Sequence, residues 1–446
     1  MALVAQVTNT LGKFLVSLSS LVGRYSRDTR GNFAITTAIM AVPMFMIAGL
    51  TIDYTRVLDY KAILQQSADA AVLASIAEES KGRERAYKMK KDGEIKIAEK
   101  EAMEFFDSNL PKNSVLKLAE REVSVQKYSD RIVAEVNYSL DMPMAFGSFF
   151  GQQTFPITGS SKAEIRLDAA IDFYLLLDNT PSMGLGATTA DIAKLMSYTP
   201  DKCAFACHAL NDGDNYYNLA RDHDIDLRID VVRQAVQQLT DTASDVRTFQ
   251  NQFRMAVYSF GEAATNMGLT EVSKLSSNMN KVKSDTDDLD LMTIPYQNYN
   301  NDQQTDFDNT LSDMNDVVPD PGTGIAGDEP QKVVFFVSDG VADSYKPYAC
   351  SKSTTQGRCQ EPISLAQCTA LKARGIKIAV LYTTYLPLPT NSWYSTWIRP
   401  FETEIPTKME SCATPGLYFE VSPSEGIPEA MDSLFRKTLT KLRLTS

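Results

Sequence analysis

The stretch FAITTAIMAVPMFMIAGLTI, residues 33–52, runs for about twenty residues without a charge, and it constrains the chain more than any other feature. A helix of that length spans roughly 30 Å, the thickness of a bilayer's hydrocarbon core. Pro43 lies inside it, which a membrane helix tolerates better than a soluble one. Lys13, Arg24, Arg27 and Arg30 precede the stretch and Asp53 follows it directly. The positive-inside rule then places the N-terminus in the cytoplasm and everything after about residue 53 outside. A cleaved signal peptide is the competing reading, but its apolar region is shorter and its leader more compact than these.

The cysteines agree with export. All six lie beyond residue 200 and none forms a CxxC pair. An even count in an oxidising compartment reads as disulfides. Sequence proximity favours Cys203–Cys207 and Cys350–Cys359, leaving Cys368 and Cys412. A net charge of −12 argues against a nucleic-acid partner, which requires basic patches to displace counterions. At 446 residues, two or three structural units are expected.

Four segments follow from the patterning. Val4, Val7, Leu11, Phe14, Leu15, Leu18, Leu21 and Val22 recur at three- and four-residue spacing, so residues 1–30 are expected to be an amphipathic leader on the cytoplasmic side. Residues 31–80 continue the apolar run into an Ala-rich helical stalk, with Val57, Ile63 or Leu64, Ala68, Ala71 and Ser75 on one face. Residues 81–167 read as a charged helix and then period-two runs such as DRIVAEVNYSL, a small α+β spacer. From 168 to 446, short apolar strands (AIDFYLLL, FRMAVYSF, KVVFFVSDG, IKIAVLYTT, LYFEV) alternate with helices, interrupted by an insertion at 187–227. That alternation predicts an α/β unit with a mostly parallel, Rossmann-like sheet covered on both faces.

In such sheets ligands bind beyond the carboxyl ends of the strands. Asp178, Thr180 and Ser182 follow one predicted core strand, Asp339 follows another, and Thr305 and Asp306 precede a helix. Oxygen donors from three loops suit a hard divalent cation. The plainer alternatives are a turn at Asp339-Gly340 and helix capping by Thr180 or Ser182. Cys203, Cys207, His208 and His223 match no common zinc spacing, and two histidines in all leave little material for acid–base catalysis.

The LLLDNTPSMG segment resembles the DxSxS motif of von Willebrand factor type A domains, with Thr180 in place of the first serine. The resemblance implies that fold over 168–446 and a metal-ion-dependent adhesion site built from Asp178, Thr180, Ser182, Thr305 and Asp339. Thr265 is the alternative to Thr305. The ion would be Mg²⁺, or Mn²⁺ or Ca²⁺, with an open position for a partner's carboxylate. Residues 27–76, with a basic Arg-Gly-Asn stretch, the apolar helix, Asp53-Tyr54 and Ala68-Asp69-Ala70-Ala71, resemble the N-terminal segment of TadE/TadG-type Flp pilus-assembly proteins. Together the likenesses imply a non-enzymatic, single-pass bacterial inner-membrane protein. Its C-terminal unit would lie in the periplasm and bind pilus-assembly or other envelope proteins that present an acidic residue. A pilus-independent envelope adhesin or receptor with the same metal site is the alternative, and a metal-dependent hydrolase a further one.

Overall fold

The uncharged run of about twenty residues and the Ala-rich stretch after it fold as one helix, α1, Asn32–Ile76, of 45 residues that continues through Pro43. Three hydroxyls inside it are satisfied locally: Thr37, Thr51 and Thr55 donate to the carbonyls of Phe33, Ile47 and Thr51 at 2.7, 2.9 and 2.7 Å. Residues 33–48 are exposed or half-exposed on every side, whereas from Asp53 onward Val57, Leu64, Ala68, Ala71 and Ser75 are buried. One helix therefore has an all-round apolar half and an amphipathic half. The computed structural model describes residues 32–112, 115–211, 215–325, 329–385, 388, 391–422 and 426–445. The amphipathic leader expected over residues 1–30, with its basic residues, lies outside the described residues.

The chain divides into two units, residues 1–75, 98–125 and 134–163, and residues 76–97, 126–133 and 164–446. Four strands, β1 (Gly93–Glu94), β2 (Glu120–Tyr128), β3 (Arg131–Pro143) and β4 (Thr154–Arg166), form a sheet in that order. In β3, Ile132, Ala134, Val136, Tyr138, Leu140 and Met142 alternate inward, as a one-sided sheet requires. Within the first unit the Tyr138 hydroxyl donates to Gln65 of α1 at 2.7 Å, and Gln65 donates to the Ser160 carbonyl at 3.1 Å. Helix α2, Lys96–Asn109, buries Ala98, Ala102 and Phe106.

The second unit is built on β5 (Ile171–Leu177), β7 (Phe253–Ser259), β8 (Thr270–Ser276), β10 (Gln331–Ser338), β14 (Lys377–Thr383) and β15 (Tyr418–Val421). Their order is β15-β14-β10-β5-β7-β8. Two-residue strands β6 (His208–Ala209) and β9 (Thr293–Ile294) pair separately, and β11 (Val341–Tyr345), β12 (Thr354–Thr355) and β13 (Arg358–Pro362) make an antiparallel sheet. The mostly parallel arrangement expected from sequence is met only in part, and the architecture is mixed α/β. Strands β15, β14, β10, β5 and β7 are parallel, but β8 returns antiparallel to β7. Their connection, residues 260–269, contains no crossover helix, and a parallel return needs one.

Every residue of β5 is buried, with Phe173, Leu175 and Leu177 on one face and Tyr174 and Leu176 on the other. Helices α3 (Arg228–Val246) and α7 (Ile427–Thr445) cover the first face through Ile229, Val232, Val236, Met431 and Phe435. The other is covered by α4 (Phe307–Val317), α5 (Leu365–Ala373) and α6 (Glu404–Cys412) through Phe307, Leu311, Leu371, Ile405 and Met409. At the amino end of the central strands Asp172 is fully buried and accepts from Arg254 at 2.6 and 2.7 Å and from Lys332 at 2.6 Å.

Disulfides join Cys350 to Cys359 and Cys368 to Cys412. The Cys203–Cys207 bridge favoured by proximity is not formed, and both are free thiols. The segment between them is committed to other bonds. Phe205 bridges Leu185, the Ala206 N–H donates to the Gly184 carbonyl at 2.8 Å, and the Cys203 thiol faces the Phe205 carbonyl.

Candidate functional site

Strands β5 and β10 are adjacent and parallel, so the residues that follow them emerge at one edge. Asp178 and Asp339 are both fully buried there, beneath the rim. The N–H and Oγ1 of Thr180 both donate to Asp178 Oδ1, at 3.0 and 2.7 Å, which curls the loop back on its own carboxylate. Ser182 Oγ lies 3.4 Å from Thr180 Oγ1. Asn179 staples the loop from below: its amide donates to the carbonyls of Gly261 and Asp290 at 2.8 and 3.0 Å and accepts from the Phe260 N–H at 3.0 Å.

Thr305 reaches the same point from a long polar connection. Asp306 caps α4 by accepting from the Asn309 N–H, which leaves Thr305 one residue outside the helix. A two-way backbone bridge to Asp343 of β11, at 2.8 and 2.9 Å, holds it there, and its hydroxyl donates to Thr180 Oγ1 at 2.9 Å. Thr265 is exposed on the connection between β7 and β8. The five oxygen-bearing residues singled out in the sequence thus come from three loops to one edge.

Two residues at this edge were not singled out. Ser338 Oγ donates to Asp178 Oδ2 at 2.6 Å from the neighbouring strand. Arg228, the first residue of α3, is fully buried and places Nη1 3.4 Å from Asp339 Oδ2, while Nη2 donates to the Thr384 carbonyl at 3.2 Å. Its Nε is buried without a hydrogen-bond partner. Ser338 stands next to Asp339 in the FFVSDG motif and could have been noticed there. No local pattern marks Arg228, because it looks like an ordinary first-turn cation.

Burial, followed by the nearby charge of Asp178, pushes the Asp339 carboxyl up to about 6, against the Arg228 guanidinium, the Val341 N–H and the Ser182 hydroxyl. Burial likewise raises Asp178, opposed by hydrogen bonds from Ser338 and Thr180. Two buried carboxylates and one guanidinium leave a net negative charge when both acids are ionised. Three hydroxyls and two carboxylates, with no sulfur or imidazole among them, fit a hard cation.

Ser182 and Thr305 line a cleft of about 490 Å³ above this edge. Its walls carry Arg358, whose guanidinium stacks 4.4 Å from the Trp393 ring centre and forks onto Asp343. Asp201, Cys203, Phe205 and Cys207, all in the 187–227 segment, line it too. The zinc alternative is not gathered: His208 stacks on Tyr217 at 3.9 Å and His223 on Tyr198 at 3.7 Å. Among the described residues, the one Cys/His/acid cluster close enough to share an ion is Cys350, Cys359 and Glu361, whose cysteines are bridged to each other.

A mixed α/β unit with an oxygen-lined edge, on a chain with a long apolar helix near its N-terminus, defines a class of candidate membrane-anchored proteins. More particularly, residues 31–77 match the family described as putative Flp pilus-assembly TadE/G-like, which relates this segment to Tad pilus assembly. No curated protein matches the chain. Among solved structures, it resembles proximal thread matrix protein 1 from the mussel byssus at 14% identity and TM-score 0.34, over 61% of this chain and 49% of that one. It thus spans about half the length of the mussel protein. It also resembles the PilB minor pilin from Streptococcus sanguinis (12% identity, TM-score 0.33, 73% of this chain and 78% of that one). A third likeness is to the vWF domain of the type V pili tip protein Mfa5 from Porphyromonas gingivalis (10%, 0.34, 62% and 97%). Likenesses at these scores carry no argument about function.

Proposed function

We propose that this chain is a membrane-anchored component of Flp-type pilus assembly whose second unit is a von Willebrand factor A-like domain. In this reading the unit sits in the periplasm and binds an acidic side chain of a pilus or envelope protein through a divalent cation. The observation that carries the reading is the convergence of Asp178, Thr180, Ser182, Thr305 and Asp339 at one strand edge, where Thr180 Oγ1 lies 2.7, 2.9 and 3.4 Å from Asp178, Thr305 and Ser182, and Asp339 follows the adjacent parallel strand. A bound ion would supply positive charge for the partner's carboxylate. Asp178, Thr180, Ser182, Thr305 and Asp339 would hold it, the hydroxyls as neutral donors and the two carboxylates with the compensating charge. Ser338 and Asn179 tie the loop to its neighbouring strands. Mg²⁺ fits this donor set, as do Mn²⁺ and Ca²⁺, and the chain acts by binding rather than by turnover.

Calorimetric titration of the full chain in detergent with MgCl₂ and MnCl₂ tests the reading. Saturable binding is expected in the wild type and its loss in Asp178→Ala, with the far-ultraviolet circular dichroism unchanged. No binding by the wild type to Mg²⁺, Mn²⁺ or Ca²⁺ would sink the metal grip.

A further inference from the structure

We infer that the hairpin tip joining β3 to β4 is a second membrane contact, seated in the acyl–headgroup boundary beside α1. This rests on the reading that residues 33–52 cross the bilayer. From Met142 to Ser161 the sequence carries no charge, and the tip presents Phe146, Phe149 and Phe150. Phe149 is 74% exposed and Phe150 55%. Solvated hairpin tips ordinarily carry polar turn residues, so three aromatic rings in an uncharged stretch of sequence call for an apolar or interfacial surrounding.

The tip's position along α1 is set by two contacts within the first unit. Asp53 is fully buried, and its carboxylate accepts the N–H groups of Ala145, Phe146 and Gly147 at 3.1, 2.7 and 2.9 Å. Three convergent backbone donors form an anion-binding nest, so this carboxylate needs no water at the end of the apolar run. Phe146 packs on Gly49, where a Cβ would overlap its ring. Gly49 lies three residues before Ile52, about 4.5 Å inside the end of the uncharged stretch. The 3₁₀ turn Gly147–Phe150 follows directly, so Phe149 and Phe150 lie two and three residues beyond the last of these contacts.

If 33–52 spans the hydrocarbon core, a hairpin tip held against Gly49 and Asp53 lies near the depth where aromatic side chains concentrate. Continuity with the lipid-facing half of α1, where Phe45 and Ile47 are 76% and 65% exposed, selects lipid rather than a protein as the occupant. The tip would then restrict tilt and rotation of the anchor, which a single helix leaves free.

Depth-dependent fluorescence quenching of the full chain in phosphatidylcholine–phosphatidylglycerol vesicles tests this. Phe149→Trp adds one indole to Trp393 and Trp397, and Ile47→Trp provides a reference within the span. The difference emission of Phe149→Trp against the wild type is expected to be blue-shifted and to lose most of its intensity with lipids brominated near the headgroup. Lipids brominated near the methyl end should quench it less, and aqueous iodide hardly at all. Quenching by iodide and not by brominated lipid would place the tip in water and overturn the inference. Shielding from both quenchers would place a protein on it and overturn the inference equally. If the Ile47→Trp reference is itself unquenched by brominated lipid, the anchor reading fails and this inference falls with it.

Discussion

A guanidinium with no access to water stands 3.4 Å from Asp339, and it alters what the two rim carboxylates can do. Without Arg228, Asp178 and Asp339 would face each other in a low-dielectric pocket with only hydroxyls and N–H groups for compensation. With it, the metal-free arrangement is tolerable, and a divalent cation bound in the proposed site would share Asp339 with a resident charge. Arg228→Gln is therefore expected to cost about 3–5 kcal/mol in EDTA, as loss of one buried partner does. The same variant should gain more stability from saturating Mg²⁺ than the wild type does, because the cation alone then neutralises the pair. Urea denaturation of both proteins in EDTA and in MgCl₂ measures the two effects. An equal gain in both would show that Arg228 does not compete with the ion.

At the scale of elements, the central strands are registered at one end by charge and continue as apolar runs. Asp172 on β5 stands opposite Arg254 on β7 and Lys332 on β10, so one carboxylate ties three parallel strands together. Parallel strands buried on both faces have little side-chain alternation to set their register, and this triad supplies a marker. Asp172→Ala leaves Lys332 buried without its partner, and it should destabilise the second unit by about 3–5 kcal/mol. Thermal or urea melts check this, and a change below about 1 kcal/mol, the range of exposed pairs, would mean the triad is solvated rather than structural. Strand β8 shows the opposite case: its short connection dictated an antiparallel return that its own residues do not announce.

At the scale of the whole molecule, one helix joins two environments. Its first half has no buried face until Gly49, while its second half buries a stripe from Asp53 to Ser75. That change of character within a continuous helix is what a chain leaving a bilayer and entering a folded unit requires. With Lys13, Arg24, Arg27 and Arg30 before the apolar run, the positive-inside rule predicts that a reporter enzyme fused after residue 80 is active only when it functions outside the cytoplasm. Alkaline phosphatase and a cytoplasm-dependent fluorescent protein, compared at the same junction, give opposite results for the two orientations.

Much of this was local enough to be legible in the chain itself. The uncharged run, the stripe of Val57, Leu64, Ala68, Ala71 and Ser75, the alternation in β3, and the polar breaks after LLL and FFVS all follow from spacing within a few residues. So does the presence of Asp178, Thr180, Ser182 and Asp339 at strand ends. Tertiary structure alone decided what depends on neighbours far away in sequence: the pairing of Ser338 with Asp178 across 160 residues, and of Arg228 with Asp339 across 111. It also decided the antiparallel edge, the unbridged Cys203 and Cys207, and the nest that Ala145, Phe146 and Gly147 make for Asp53. The physical reason is common to all of these. Hydrophobic periodicity reports burial along one segment, whereas the partner of a buried charge or hydroxyl is set by which strands and loops pack beside it, and no single segment encodes that.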